Sequence, residues 1–280
     1  MCSIAGFMVE GKEDRIFSQV LAACLLMEGS VRGDQSSGVF RGGRVFKRAV
    51  KPEDLIDDKR FAEVFRDKAN ITLLHTRFPT MGERGDNQAQ PFVCNRTVSV
   101  HNGYYFNTKA LRDTFGLNKA SGVDSELVAE FVEGHGIKEL PMFFETTSGP
   151  SAVAVSRKGR LWLMRNGNPT AYATVKYKGA SYFVFASTRE ILEFSLQDVS
   201  DVIKVKIEFK VKTLEEHVLF EVVGGKLKEA GRMELPKAKI YKFYDDDDWN
   251  DDDRDCTNGV DDPECDNETF WNYLNSDKVN

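Results

Sequence analysis

Apolar and polar positions alternate along this chain with two different periods. Residues 2–9 form an apolar run whose small members, Ser3, Ala5 and Gly6, predict a strand open to close approach by another backbone. Over 14–28, Ile16, Phe17, Val20, Leu21, Cys24 and Leu25 recur at helical spacing and predict an amphipathic helix. A turn-rich stretch, Arg32-Gly-Asp-Gln-Ser-Ser-Gly38, precedes a hairpin expected over 39–50 with its turn at Gly42-Gly43. Pro52 suits the first turn of a helix running to Lys68, with Leu55, Phe61, Val64 and Phe65 on its apolar face. Strands are expected at 71–75 and 97–101, joined by a long loop over 76–91, with helices at 108–115 and 124–132.

After Pro150 the pattern turns to strands, at 151–156, 161–165, 172–177 and 182–186, the last two joined at Lys178-Gly179. A helix at 188–195 and strands at 202–207 and 217–223 complete the reading. Hairpin-linked strands flanked by helices imply an α+β layered sandwich with antiparallel sheets. No linker precedes Asp245, so one domain over 1–244 and a tail over 245–280 is the economical division.

Composition narrows the class. At 280 residues and 41% hydrophobic content the chain can bury a sizeable core. No apolar run reaches the roughly 18 residues of a membrane span, and no basic-then-apolar secretory layout opens the sequence. The cysteines at 2, 24, 94, 256 and 265 form no CxxC pair, which fits a reducing cytoplasm. The net charge of −6 is uneven, because Asp245 to Glu268 holds thirteen carboxylates against Arg254 alone, leaving the rest of the chain at +6. Such a tail repels phosphates, so no nucleic-acid partner is expected. It can steer the chain toward a basic surface, fold over its own body or act as a solvated appendage. Asp253, Asp255 and Asp261 with Gly259 do not follow an EF-hand loop, and no metal is expected. The Arg-Gly-Asp tripeptides at 32 and 84 and the Asn-x-Thr sequons at 70, 95 and 267 would need an extracellular setting that nothing else indicates.

Four segments carry candidate chemistry. Cys2 follows Met1; removal of the methionine would leave a free α-amine on a cysteine, supplying nucleophile and base from one residue. Arg77, in His75-Thr-Arg-Phe-Pro-Thr-Met-Gly82, ends a strand and suits a substrate carboxylate, or pairs with Glu83 or Asp86. His101-Asn102-Gly103 offers a side-chain amide and a glycine N–H for an oxyanion, or marks a turn. Asp124 and Ser125 open a helix as its cap, or Asp124 holds a substrate ammonium.

Taken in order, these segments resemble the class II glutamine amidotransferases, the glutaminase domains of amidophosphoribosyltransferase, glucosamine-6-phosphate synthase and asparagine synthetase. The resemblance runs from Cys2 to about Val223 and also takes in Ala89-Gln-Pro-Phe92, Arg165-Asn-Gly-Asn-Pro169 and Phe185-Ala-Ser-Thr188. It implies a four-layer αββα sandwich of the Ntn-hydrolase type with two antiparallel sheets. By the same resemblance Cys2 attacks the glutamine amide with its own α-amine as base, and Asn102 and Gly103 form the oxyanion hole. Arg77 binds the α-carboxylate and Asp124 the α-ammonium, Thr80 and Met81 line the pocket, and Arg32 lies near the nucleophile. No cofactor is implied.

Two departures stand out. Where the family usually has an acid, this chain has Gln35, with Asp34 one place earlier. No synthetase or transferase domain follows to consume the ammonia, so a separate ammonia-accepting subunit is expected as partner. Other readings are an Ntn acylase on a different amide, against which Arg77 and Asp124 argue, and a catalytically silent scaffold or regulatory subunit.

Overall fold

Burial on both faces of its strands decides the architecture. The computed structural model describes residues 2–78, 85–117 and 122–234. In it, β1 (Ser3–Glu10) turns Ile4 and Met8 to one side and Ala5, Phe7 and Val9 to the other. A strand apolar on both faces must be covered on both. β1 is the middle of a seven-stranded sheet that also contains β2 (Ser36–Arg41), β3 (Arg44–Arg48), β4 (Ile71–Arg77), β9 (Ala171–Tyr177), β10 (Ala180–Ala186) and β11 (Lys212–Thr213), in the order β11-β9-β10-β1-β4-β2-β3. A second sheet holds β5 (Phe92–Cys94), β6 (Thr97–Gly103), β7 (Ser151–Arg157), β8 (Arg160–Asn166), β12 (Val218–Val223) and β13 (Lys226–Arg232), in the order β13-β12-β8-β7-β6-β5. The strand pairings within both sheets are antiparallel.

The inner faces of the sheets meet through Ile4, Leu73, Val100, Ala154, Leu163 and Phe185. Burying each of these side chains except Ala154 contributes about 1.5–3 kcal/mol. Helices α1 (Arg15–Gly29), α2 (Pro52–Asp57), α3 (Lys59–Val64) and α7 (Arg189–Ile203) cover the outer face of the first sheet. Helices α4 (Thr108–Phe115), α5 (Glu126–His135) and α6 (Leu140–Thr146) cover the second. The result is the expected αββα sandwich. Gly6 shows why β1 needs small residues: a Cβ there would stand 2.3 Å from the Thr72 carbonyl oxygen and 2.8 Å from the Phe185 ring.

Several sequence expectations need correction. The helix expected over 52–68 is two, because Asp58 is extended (φ −70, ψ 127) and its carboxylate accepts the Arg60 N–H at 2.9 Å to start α3. The strand expected over 202–207 is absent. Val202 and Ile203 end α7, whose Leu192, Leu196 and Val199 are buried in the core beneath it, and the helix stops at Lys204 in the left-handed conformation (φ 57). The loop expected over 76–91 begins later, since β4 runs on to Arg77, and β5, α6 and β13 went unforeseen. No helix among the described residues is long and apolar enough to cross a membrane. The acidic stretch from Asp245 lies outside the described residues.

Candidate active site

The site is built where the start of β1 meets the end of β4. Ser3 pairs with Thr76 across the two strands, so Cys2 falls beside Arg77 and Phe78, and its thiol donates to the Phe78 carbonyl at 3.6 Å. Ser187, just beyond β10, fixes the next residue of β1: its hydroxyl accepts the Ile4 N–H at 2.8 Å and lies 3.3 Å from the Ile4 carbonyl. After α1 the chain turns through Ser30–Arg32, and Arg32 Nε donates to the Cys2 carbonyl at 2.9 Å. The next residues lie flat on the end of β4. Gln35 N–H donates to the Arg77 carbonyl at 3.0 Å, and a Cβ on Gly33 would sit 2.3 Å from Phe78 N. The loop therefore clasps both strand ends, while Asp34 turns outward to Lys51 at 3.7 Å.

The second sheet brings up the other half. Asn102 and Gly103 are the last residues of β6, paired with Ala152 and Ser151, so they are not a turn. Asn168 donates to the Asn102 carbonyl at 2.8 Å and to the Pro150 carbonyl at 3.3 Å, holding the strand end. The Asn102 side chain is buried, and its Nδ2 has no hydrogen-bond partner among the described residues. Gly103 (φ 156) admits no side chain, because a Cβ would meet the Pro150 carbonyl at 2.4 Å and His101 Nε2 at 2.6 Å.

Asp124 is buried just ahead of α5 and does not cap it in the ordinary way. Its Oδ2 accepts the Tyr105 N–H and its Oδ1 the Ser125 N–H, each at 2.9 Å, and Ser125 makes no side-chain cap bond. The carboxylate is thus tied to the segment that leaves β6.

Buried polar contacts hold the two sheets in register at this end. His75 of β4 donates from Nε2 to the His101 carbonyl of β6 at 3.2 Å. The Gln90 side chain accepts the His101 N–H at 2.7 Å and donates to its carbonyl at 2.9 Å. The β5 ladder stops at Phe92 opposite Ser99, and two residues on the Gln90 amide serves His101 as a missing strand would. Burial pushes the pKa of His75 down to about 3 and that of His101 to about 4, so both are neutral near pH 7.

The electrostatics tie four predicted residues together. Burial raises the Cys2 thiol pKa, the Phe78 backbone and the Arg77 charge pull it down, and the Asp124 carboxylate adds to the rise. Burial likewise lowers Arg77, against which Cys2 and Asp124 act, and lowers Arg32, against which Cys2 acts. Cys2, Arg32, Arg77 and Asp124 therefore share one field, while Thr80 and Met81 lie outside the described residues. Sequence reasoning gave no role to Gln90, His101, Tyr105, Asn168 or Ser187. Most of them sit inside segments already singled out, and a polar residue in an apolar strand was the available signal.

A cysteine, an unpaired buried amide, a cation and a carboxylate at one end of a sandwich can run acyl transfer on a zwitterionic substrate. Comparison with known proteins places the chain among glutamine amidotransferase domains. Residues 75–193 match the family model described as a glutamine amidotransferase domain. The chain is 24% identical over 221 residues to the amidophosphoribosyltransferase of Methanothermobacter thermautotrophicus, covering 72% of this chain and 45% of that one. It is 21% identical over 249 residues to 7-cyano-7-deazaguanine synthase 2 of Sulfurisphaera tokodaii, covering 80% and 54%. The chain thus spans about half the length of these curated relatives. The fold superposes on the glutamine phosphoribosylpyrophosphate amidotransferase of B. subtilis with a TM-score of 0.58 at 15% identity, covering 84% of this chain and 50% of that one.

Proposed function

We propose that this chain, which carries a class II glutamine amidotransferase domain, hydrolyses the side-chain amide of glutamine through Cys2 and passes the ammonia to a synthetase or transferase domain or subunit. The observation that carries the reading is the Asn102 amide. A buried donor without a partner costs about 1–3 kcal/mol, a cost the fold meets with no return unless a ligand oxygen fills the place.

Removal of Met1 gives Cys2 a free α-amine. Burial keeps the thiol protonated at rest, so the amine, with an ordinary pKa of about 7.7–8.0, takes its proton as sulfur attacks the amide carbon. The negative oxygen that forms faces Asn102 Nδ2 and the Gly103 N–H. Collapse breaks the C–N bond; the amine returns its proton to the leaving nitrogen, and ammonia departs. Water then attacks the Cys2 thioester, losing a proton to the same amine, and glutamate leaves. Arg77 takes the substrate α-carboxylate as a bidentate fork and Asp124 the α-ammonium, so an acyl group without both charges is a poor fit. Arg32 holds the Cys2 carbonyl.

Ammonia released into water is protonated and stops being a nucleophile, which favours an acceptor unit seated over the site. The names of the relatives, a synthase and a transferase, point the same way. The test is glutamate and ammonia release from glutamine by protein whose intact mass lacks Met1. Stoichiometric release that vanishes in Cys2→Ala is the expected result. No release by demethionylated protein, with or without acceptor candidates, would favour a silent scaffold.

A further inference from the structure

Asp124 is held by a short chain of groups that the reaction itself does not use. The Ser125 hydroxyl lies 3.4 Å from Asp124 Oδ1 and 2.9 Å from His101 Nδ1. If the serine proton points at the carboxylate, its oxygen must accept from His101, which fixes the imidazole as the Nδ1–H tautomer. The rest of the ring agrees: Nε2 is buried with no partner among the described residues, tolerable for a bare lone pair and costly for an N–H. The ring stacks on Tyr105 at 4.6 Å and 14°, and the Tyr105 N–H is the donor to Asp124 Oδ2. One imidazole therefore supports both oxygens of the carboxylate, one through Ser125 and one through Tyr105. Gln90 and His75 hold the His101 main chain in turn.

We propose that His101 and Ser125 are positioning residues that fix the Asp124 carboxylate for the substrate α-ammonium, and so set the preference for a free amino acid over a γ-carboxamide without that charge. The proposal rests on the reading of Asp124 given above. A ring that stays neutral suits the task, since an imidazolium would compete with the substrate for the same carboxylate.

The experiment compares glutamine with 4-carbamoylbutanoate, which has the amide and carboxylate but no amine. In Ser125→Ala, KM for glutamine should rise about tenfold with kcat within about twofold, as for a lost hydrogen bond to an ionised group. The ratio of kcat/KM between the two substrates should fall by the same factor, and Ser125→Thr, which keeps the hydroxyl, should restore it. Equal losses on both substrates, or no change in the ratio, would overturn the positioning role. The same ratio is read without turnover as binding affinities on the Cys2→Ala chain. If that chain binds neither compound, the glutamine site itself is wrong. If it binds glutamine, yet adding Ser125→Ala weakens both compounds alike, the positioning role alone falls.

Discussion

Arg32 Nε donates to the carbonyl oxygen of Cys2 at 2.9 Å, so a residue thirty positions along the chain holds the peptide unit that carries the proposed nucleophile. The contact exists because α1 delivers its C-terminal turn over the start of β1. There Gly29 packs on Ser3, with room for a Cβ only 3.2 Å from the Ser3 hydroxyl. Hydrogen bonds from a charged donor contribute about 1.5–3 kcal/mol, enough to decide where a two-residue strand extension points. Arg32→Ala should therefore lower kcat for glutamine by tenfold or more. The melting temperature should stay within a few degrees, as measured by steady-state kinetics beside a thermal scan.

Gly33 belongs to the same clasp. With a Cβ 2.3 Å from Phe78 N and 2.6 Å from the Arg77 carbonyl carbon, Gly33→Ala must push the loop off the end of β4. Overpacking of this kind costs about 1–3 kcal/mol. The loss should appear mainly as weaker glutamine binding, because Arg77 moves, and a KM unchanged from wild type would show that the loop does not set the position of Arg77.

Asn102→Ala removes the unpaired amide and nothing else that the fold uses, since Asn168 holds the main chain. A single oxyanion donor is worth about 10²–10³ in rate. The expected outcome is a fall of that size in kcat with KM changed by less than about threefold. A fall in KM-dependent binding with kcat intact would place the amide on the substrate elsewhere.

The two buried histidines make stability pH-dependent. Their folded pKa values, about 3 for His75 and about 4 for His101, lie below the ordinary 6.5. Below pH 6.5 the unfolded chain takes up protons that the folded chain refuses. The stability is thus fully present above pH 6.5 and is lost as pH falls toward 4, at about 1.4 kcal/mol for each pKa unit. Ordinary carboxylates titrate mostly at the lower end of that window. Urea midpoints measured at pH 7, 5.5 and 4.5 should drop steadily, and His75→Asn should flatten the slope. An unchanged slope in that variant would contradict a neutral buried His75.

Much of this fold can be read from local pattern. The α1 helix, with Asp14 accepting the Phe17 N–H at its start, and the hairpin turning at Gly42-Gly43 fall where periodicity and glycine place them. The error at 202–207 has a physical source: a short apolar run has no period of its own, and Val202, which is exposed, and Ile203 simply continue α7, whose buried Leu192, Leu196 and Val199 hold the helix on the core. Asp58 broke a helix because a short carboxylate can cap its own downstream turn. Cys2, Arg77, Asn102 and Asp124 were legible only through their order along the chain. The partners that hold them were not. Gln90 and His101 meet across the gap left when β5 ends, a contact that depends on where a strand stops and not on any period, and Ser187 reaches Ile4 across 183 positions, which no window of sequence contains.

The most direct measurement is labelling with an electrophilic glutamine analogue, read by intact mass and by sequencing of the modified peptide. One adduct per chain should form, on a peptide whose first residue is Cys2 with a free α-amine, and glutamine should protect against it. An adduct at Cys24 or Cys94, or none on protein that has lost Met1, would contradict the assignment of Cys2 as the nucleophile.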